Sequence, residues 1–137
     1  MKRLLFIGLL ITSLSAIGQE YKKLVINVKE SIDRKATFFV EPLIADPVLA
    51  VDLFKNSLSN NGFKVITDKE QATYVITIKY KDRADTGCGG RVMKQLTGQI
   101  NDSTKQGEIM VTFSFKQGSF EGKCTADIMN ALAQKLK

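Results

Sequence analysis

Two runs of strict alternation constrain this chain more than anything else in it. Tyr74, Ile76, Ile78 and Tyr80 alternate with Val75, Thr77 and Lys79, and Ile109, Val111, Phe113 and Phe115 alternate with Met110, Thr112, Ser114 and Lys116. A period of two sends alternate side chains to opposite sides of an extended backbone. Both runs are therefore predicted to be strands with one face buried and the other turned to water. Strands of that kind need a sheet that is covered on one side, so the rest of the chain has to supply the cover.

Two segments have the periodicity for that task. Ala50, Val51, Phe54 and Leu58 recur on one face with Pro47, while Asp52, Lys55, Asn56 and Ser59 line the other. Asp46 is expected to cap this helix, Pro47 to occupy its first turn, and Asn60-Asn61-Gly62 to stop it in a left-handed turn. A second helix is expected from about Ala126 to Leu136, capped by Thr125, with Ile128, Met129, Leu132 and Leu136 as its apolar stripe. Asp127 near its start and Lys135 and Lys137 at its end suit the helix dipole.

Further extended pieces are predicted at Leu24 to Val28, Ala36 to Val40 and Phe63 to Ile66, with a weaker one at Val92 to Ile100. The order is strand, strand, helix, about four strands, helix. It predicts an α+β two-layer sandwich: a mostly antiparallel sheet of about four to six strands, with both amphipathic helices on one face. No repeat, low-complexity tract or long linker divides the chain.

The N-terminus reads as an address. Lys2 and Arg3 precede an apolar stretch from Leu4 to Leu14, followed by Ser15, Ala16, Ile17 and Gly18, with small residues where a signal peptidase requires them. Residues 1–18 are thus expected to be a signal peptide and residues 19–137 a single exported domain, periplasmic or secreted. The apolar run is too short for a spanning helix, and no later run approaches spanning length. No cysteine closes it, so a lipid anchor is not expected.

The 137 residues carry 20 lysines and arginines against 14 acids, a formal charge of +6. Removing the leader leaves 119 residues and +4, a mild charge. The chain has no histidine and no tryptophan. The lack of imidazole removes the usual general base and most zinc or copper ligand sets, and no phosphate-binding glycine pattern is present, so no cofactor or metal is expected. Nucleic acid is not an expected partner, because no basic stripe interleaved with aromatics is present.

An even pair of cysteines in an exported chain favours a disulfide between Cys88 and Cys124, with two unpaired thiols or one reactive thiol as the alternatives. Cys88 lies in a glycine-rich loop, Asp85 to Gly90, between Arg83 and Arg91. The successive backbone N–H groups from Gly87 to Gly90, those of Gly89 and Gly90 above all, and the two guanidinium groups are candidates for contact with an anion or an acidic partner. The competing reading is a solvated hairpin tip. Lys79, Lys81 and Arg83 are expected to share the outward face of the preceding strand. Phe120, between Gly118 and Gly122, is a candidate exposed anchor, with a satellite packing contact as the alternative. Asp85-Thr86-Gly87 matches the aspartic-protease tripeptide, but Lys81, Asp82, Arg83 and Ala84 stand where that family has apolar residues.

From Pro47 to Tyr80 the chain also has a recurrent local pattern. A helix ends in Leu58, Asn61-Gly62-Phe63 follows, and Ala72-Thr73-Tyr74-Val75-Ile76 opens a strand. With the export signal, this resembles small envelope domains such as the lipopolysaccharide-assembly protein LptE and the N-terminal part of TolB. The resemblance covers about a quarter of the chain and implies a binding or assembly role at the cell envelope rather than an activity. Three classes stay open on the residues alone: an exported binding domain for an envelope protein or acidic ligand, a carboxylate hydrolase using Asp85, and a purely structural secreted module.

Overall fold

A computed structural model describes residues 24–117 and 123–137. The expected leader, residues 1–18, and Phe120 lie outside the described residues. Six strands form one sheet: β1 (Val25–Val28), β2 (Thr37–Val40), β3 (Lys64–Val65), β4 (Tyr74–Asp85), β5 (Gly90–Asp102) and β6 (Glu108–Lys116). Two helices, α1 (Ala50–Asn60) and α2 (Thr125–Leu136), complete the order. The fold is the predicted α+β class.

The spatial order is β1-β6-β5-β4-β2-β3. The β1–β6, β6–β5 and β5–β4 pairings are antiparallel, while β2 runs parallel to both β4 and β3. The parallel pairings follow from α1: it lies between β2 and β3 in sequence, and a crossover helix returns the chain in the direction it left. The Phe63–Ile66 strand contracts to Lys64–Val65, and the Val92–Ile100 strand extends to Gly90–Asp102.

Both helices bury their stripes against the same sheet face. Phe54, Leu58, Ile128, Met129 and Leu132 meet Phe38, Ile76, Leu96 and Ile100 in one core, all fully buried. Phe38 stands edge-on to Phe63 with ring centroids 5.2 Å apart. Gly98 sits opposite Phe113 and Ile78, and the Phe113 ring occupies the space its side chain would take.

Two irregularities change the predicted faces. Between β5 and β6, Ile100 pairs with Val111 but Asn101 pairs with Ile109, so Met110 bulges. Met110 and Val111 are then both buried, and Ile109 leaves the apolar set. A second bulge falls where Lys81 pairs with Gln95 and Asp82 with Met93, leaving Lys94 as the extra residue.

The helix starts also differ from expectation. Pro47 precedes α1 rather than entering it, and Asp46 caps from further upstream: its carboxylate accepts from the N–H groups of Ala50 at 2.7 Å and Val51 at 2.9 Å. Thr125 is the first residue of α2 and not its cap. Its hydroxyl instead accepts from the Met93 N–H at 3.2 Å, tying α2 to β5. Gly62, at φ 88°, provides the predicted left-handed stop, with Phe63 N–H reaching back to the Leu58 carbonyl at 3.0 Å.

Candidate functional site

The β4–β5 hairpin turns polar towards its tip, from Lys81 to Gly90. Register holds to Asp85 opposite Gly90. Asp85 Oδ1 accepts from the Gly87 N–H at 2.9 Å and so holds the tight turn Thr86–Cys88. That carboxylate does the work of a turn cap, which accounts for an aspartate followed by a small residue and glycine without protease chemistry. Gly89 at φ 79° and Gly90 at φ 111° bring the chain back in conformations that other residues rarely adopt.

Cys88 and Cys124 are joined in a disulfide, with Cα atoms 5.4 Å apart. The bond fastens the hairpin tip to the residue that precedes α2, which has no side-chain cap of its own. Between the tip, the start of α1 and the start of α2 lies an open cleft of about 280 Å³. Pro47, Val48, Leu49 and Leu53 form its apolar wall; Cys88, Gly89 and Arg91 face them, and Cys124, Thr125 and Ala126 close the end.

Arg91 is the one titratable lining residue, since both cysteines are oxidised. Its guanidinium pairs with Asp82, which lies diagonally across the hairpin. That hydrogen bond and the charge behind it raise the Arg91 pKa, so the cation is permanent. The arrangement offers an apolar surface beside a guanidinium that is paired with Asp82.

The wall beside it is built under strain. Leu49 precedes α1 at φ 55° and ψ 38°, the left-handed region, with its side chain 61% exposed. Five residues earlier, Ile44 is fully exposed. A branched residue in this conformation costs about 1–2 kcal/mol relative to glycine, and an outward leucine recovers little of it by burial. Below it, Tyr80 donates to Asp46 Oδ1 at 2.6 Å and accepts from the Val48 N–H at 3.3 Å, clamping the segment to β4. Burial and the Asp46 hydrogen bond push the Tyr80 hydroxyl pKa well above its ordinary value.

The structure gathers Cys88, Gly89, Arg91 and Cys124 in one place and sets Gly90 at the base of the same turn. It does not bring the two arginines together. Arg83 pairs with Val92 and Ala84 with Arg91, so Arg83 and Arg91 point to opposite faces of the hairpin and cannot clasp one anion between them. Sequence reasoning missed the Pro47–Leu53 wall. The signal that was available is that Ile44 and Leu49 are apolar yet fall off the helical stripe.

No family model matches the chain, and no curated protein matches its sequence. Solved structures do share its fold. PelC from Paraburkholderia phytofirmans, a dodecamer, superposes with a TM-score of 0.56 at 16% identity, over 82% of this chain and 92% of that one. A PDZ domain protein from Parabacteroides distasonis gives 0.57 at 9% identity, over 83% of this chain and 34% of that one. A DUF4136 family protein from Bacteroides thetaiotaomicron gives 0.53 at 12% identity, over 82% and 93%. TolB from Acinetobacter baumannii aligns at 0.49 and 15% identity, over 83% and 31%. At these identities the likeness is one of fold alone, and no specific family is shown.

Proposed function

We propose that this chain is an exported, non-enzymatic domain that binds an acidic protein partner at the cell envelope through the disulfide-braced cleft. The carrying observation is Leu49: a strained, outward-facing leucine at the rim of an apolar cleft whose opposite wall presents Arg91. Strain of this kind persists where a surface is shaped for contact. A partner offering an apolar side chain beside a carboxylate matches both walls.

Export is supported by the tripartite N-terminal pattern and by the cysteine pairing, since disulfides persist in oxidising compartments. Among the described residues no helix is long and apolar enough to cross a membrane. The PelC structures with the same fold are dodecamers, so a second copy of the chain belongs among the partners to look for.

The test is capture of the tagged protein after crosslinking in its native envelope, beside Leu49→Asp and Arg91→Glu. The expected result is a reproducible partner that both substitutions release. A partner set unchanged by both substitutions overturns the cleft as the contact surface.

A further inference from the structure

Among the described residues nothing covers the sheet face opposite the helices, and register shows what it presents. Four rows cross it: Val75, Asn101 and Ile109; Thr77, Gln99, Thr112 and Asn27; Lys79, Thr97, Ser114 and Val25; Lys81, Gln95 and Lys116. These residues alternate with the buried Ile78, Leu96 and Phe113 and so point away from the helices. The rows hold hydroxyls, amides, three ammonium groups and the aliphatic Val25, Val75 and Ile109, with no carboxylate and no aromatic ring.

The cations are uncommitted. Lys79, Lys81 and Lys116 make no ion pair among the described residues, whereas Arg91, Lys69 and Lys105 on other surfaces each hold an acid. Lys81 and Lys116 flank Gln95 on one row, about 10 Å apart across two strand spacings, and Lys79 lies about 7 Å along β4 from Lys81. Between β4 and β5 runs a shallow groove in two adjoining parts. One, of about 120 Å³, is bordered by Lys79, Tyr80, Lys81, Gln95 and Thr97. The other, of about 210 Å³, is bordered by Thr77, Ile78, Lys79, Thr97, Gly98 and Gln99.

We propose that this face binds an acidic polysaccharide laid along the β4–β5 groove. The charge asks for an anion. No aromatic ring stands in the rows, and the aliphatic Val25, Val75 and Ile109 lie off the Lys81–Gln95–Lys116 row, which disfavours a protein surface, whose contact core is enriched in aromatic residues and depleted in lysine. A chain of carboxylated sugars fits both halves of the chemistry: carboxylates meet the lysines, and ring hydroxyls exchange hydrogen bonds with Gln95, Thr97 and Gln99. This surface lies on the other side of the sheet from the helices and is independent of the cleft, so either assignment can fail alone.

The experiment measures retardation of the purified oxidised protein in native gels containing polygalacturonate, with dextran, polyglutamate and anionic phospholipid vesicles as separate probes. Retention by polygalacturonate that weakens with salt is expected, with none by dextran. Lys79→Glu with Lys81→Glu lowers apparent affinity about tenfold or more, Lys79→Gln with Lys81→Gln lowers it less, and Lys55→Glu on α1 leaves it unchanged. Gln95→Ala with Gln99→Ala keeps the charge and weakens polygalacturonate several-fold while leaving any polyglutamate retention unaltered. Circular dichroism confirms that each variant is folded. No retention by polygalacturonate overturns the proposal, as does equal retention by polyglutamate or binding to vesicles alone.

Discussion

Tyr80 and Asp46 lie 34 residues apart and meet through a 2.6 Å hydrogen bond that joins β4 to the segment ahead of α1. Asp46 uses the same carboxylate to cap α1, and Tyr80 takes the Val48 N–H in return. One contact thus holds a helix start, a strand and the cleft wall together. Tyr80→Phe is expected to cost about 1–2 kcal/mol, the range for a partly buried bond to a charged acceptor, read as a lower urea midpoint.

The same pair carries a pH dependence. Burial, and after it the Asp46 hydrogen bond, hold the Tyr80 hydroxyl protonated above its ordinary value. The unfolded chain loses that proton near pH 10 while the folded chain keeps it, so the unfolded state then binds fewer protons and stability falls as pH rises. The contribution is complete below about pH 10 and is lost above it. Urea midpoints between pH 8 and pH 11 should decline more steeply for the parent than for Tyr80→Phe; parallel declines would count against this assignment.

Cys88 and Cys124 close a loop of 36 residues in sequence separation. On the chain-entropy account, opening it costs about 3–4 kcal/mol. Cys88→Ser with Cys124→Ser should unfold at correspondingly lower urea, matching the reduced parent. Thiol labelling of the unfolded, unreduced exported protein should find neither cysteine free.

What the sequence disclosed and what it concealed divide along the range of the interaction. Alternation at Tyr74–Tyr80 and the stripe through Phe54 and Leu58 are local consequences of burial, and both elements formed where expected. The bulges at Met110 and Lys94 are set by pairing with a neighbouring strand and carry no signal in their own residues. Parallel pairing of β2 with β3 and β4 depends on where α1 lands. At the cleft, Cys88, Gly89 and Arg91 were legible because glycine, cysteine and charge are unusual together. The opposite wall was not, because leucine is an unexpected residue at φ 55° and Asp46 was expected only as an ordinary cap. Arg83 and Arg91 looked like partners in one dimension and are separated by the pleat in three.

Leu49 allows strain and contact to be measured separately. Leu49→Gly removes the steric penalty of the left-handed region and should raise stability by about 0.5–1 kcal/mol after the added freedom of the unfolded chain is counted. Leu49→Val places a β-branched residue in the same conformation and should lower it by about 1 kcal/mol. If Leu49 is kept for its contact, Leu49→Gly will be the more stable protein and the poorer binder in the envelope capture.

Gly98 tests the packing beneath the open face. A Cβ there would run into the Phe113 ring and lie 2.7 Å from the Thr77 carbonyl oxygen, so both a buried aromatic and the β4 backbone stand in its way. Phe113 cannot retreat freely, because Phe54 of α1 packs against it with ring centroids 6.2 Å apart. Gly98→Ala is therefore expected to cost about 2–3 kcal/mol, at the upper end for overpacking, despite adding only a methyl group and gaining the usual advantage of alanine over glycine in a strand. Restoring space with Phe113→Leu in the same chain should recover part of that loss, and a double-mutant cycle on urea midpoints reads the coupling directly. Additive effects of the two substitutions would mean that the ring moves aside on its own and that the glycine is there for another reason.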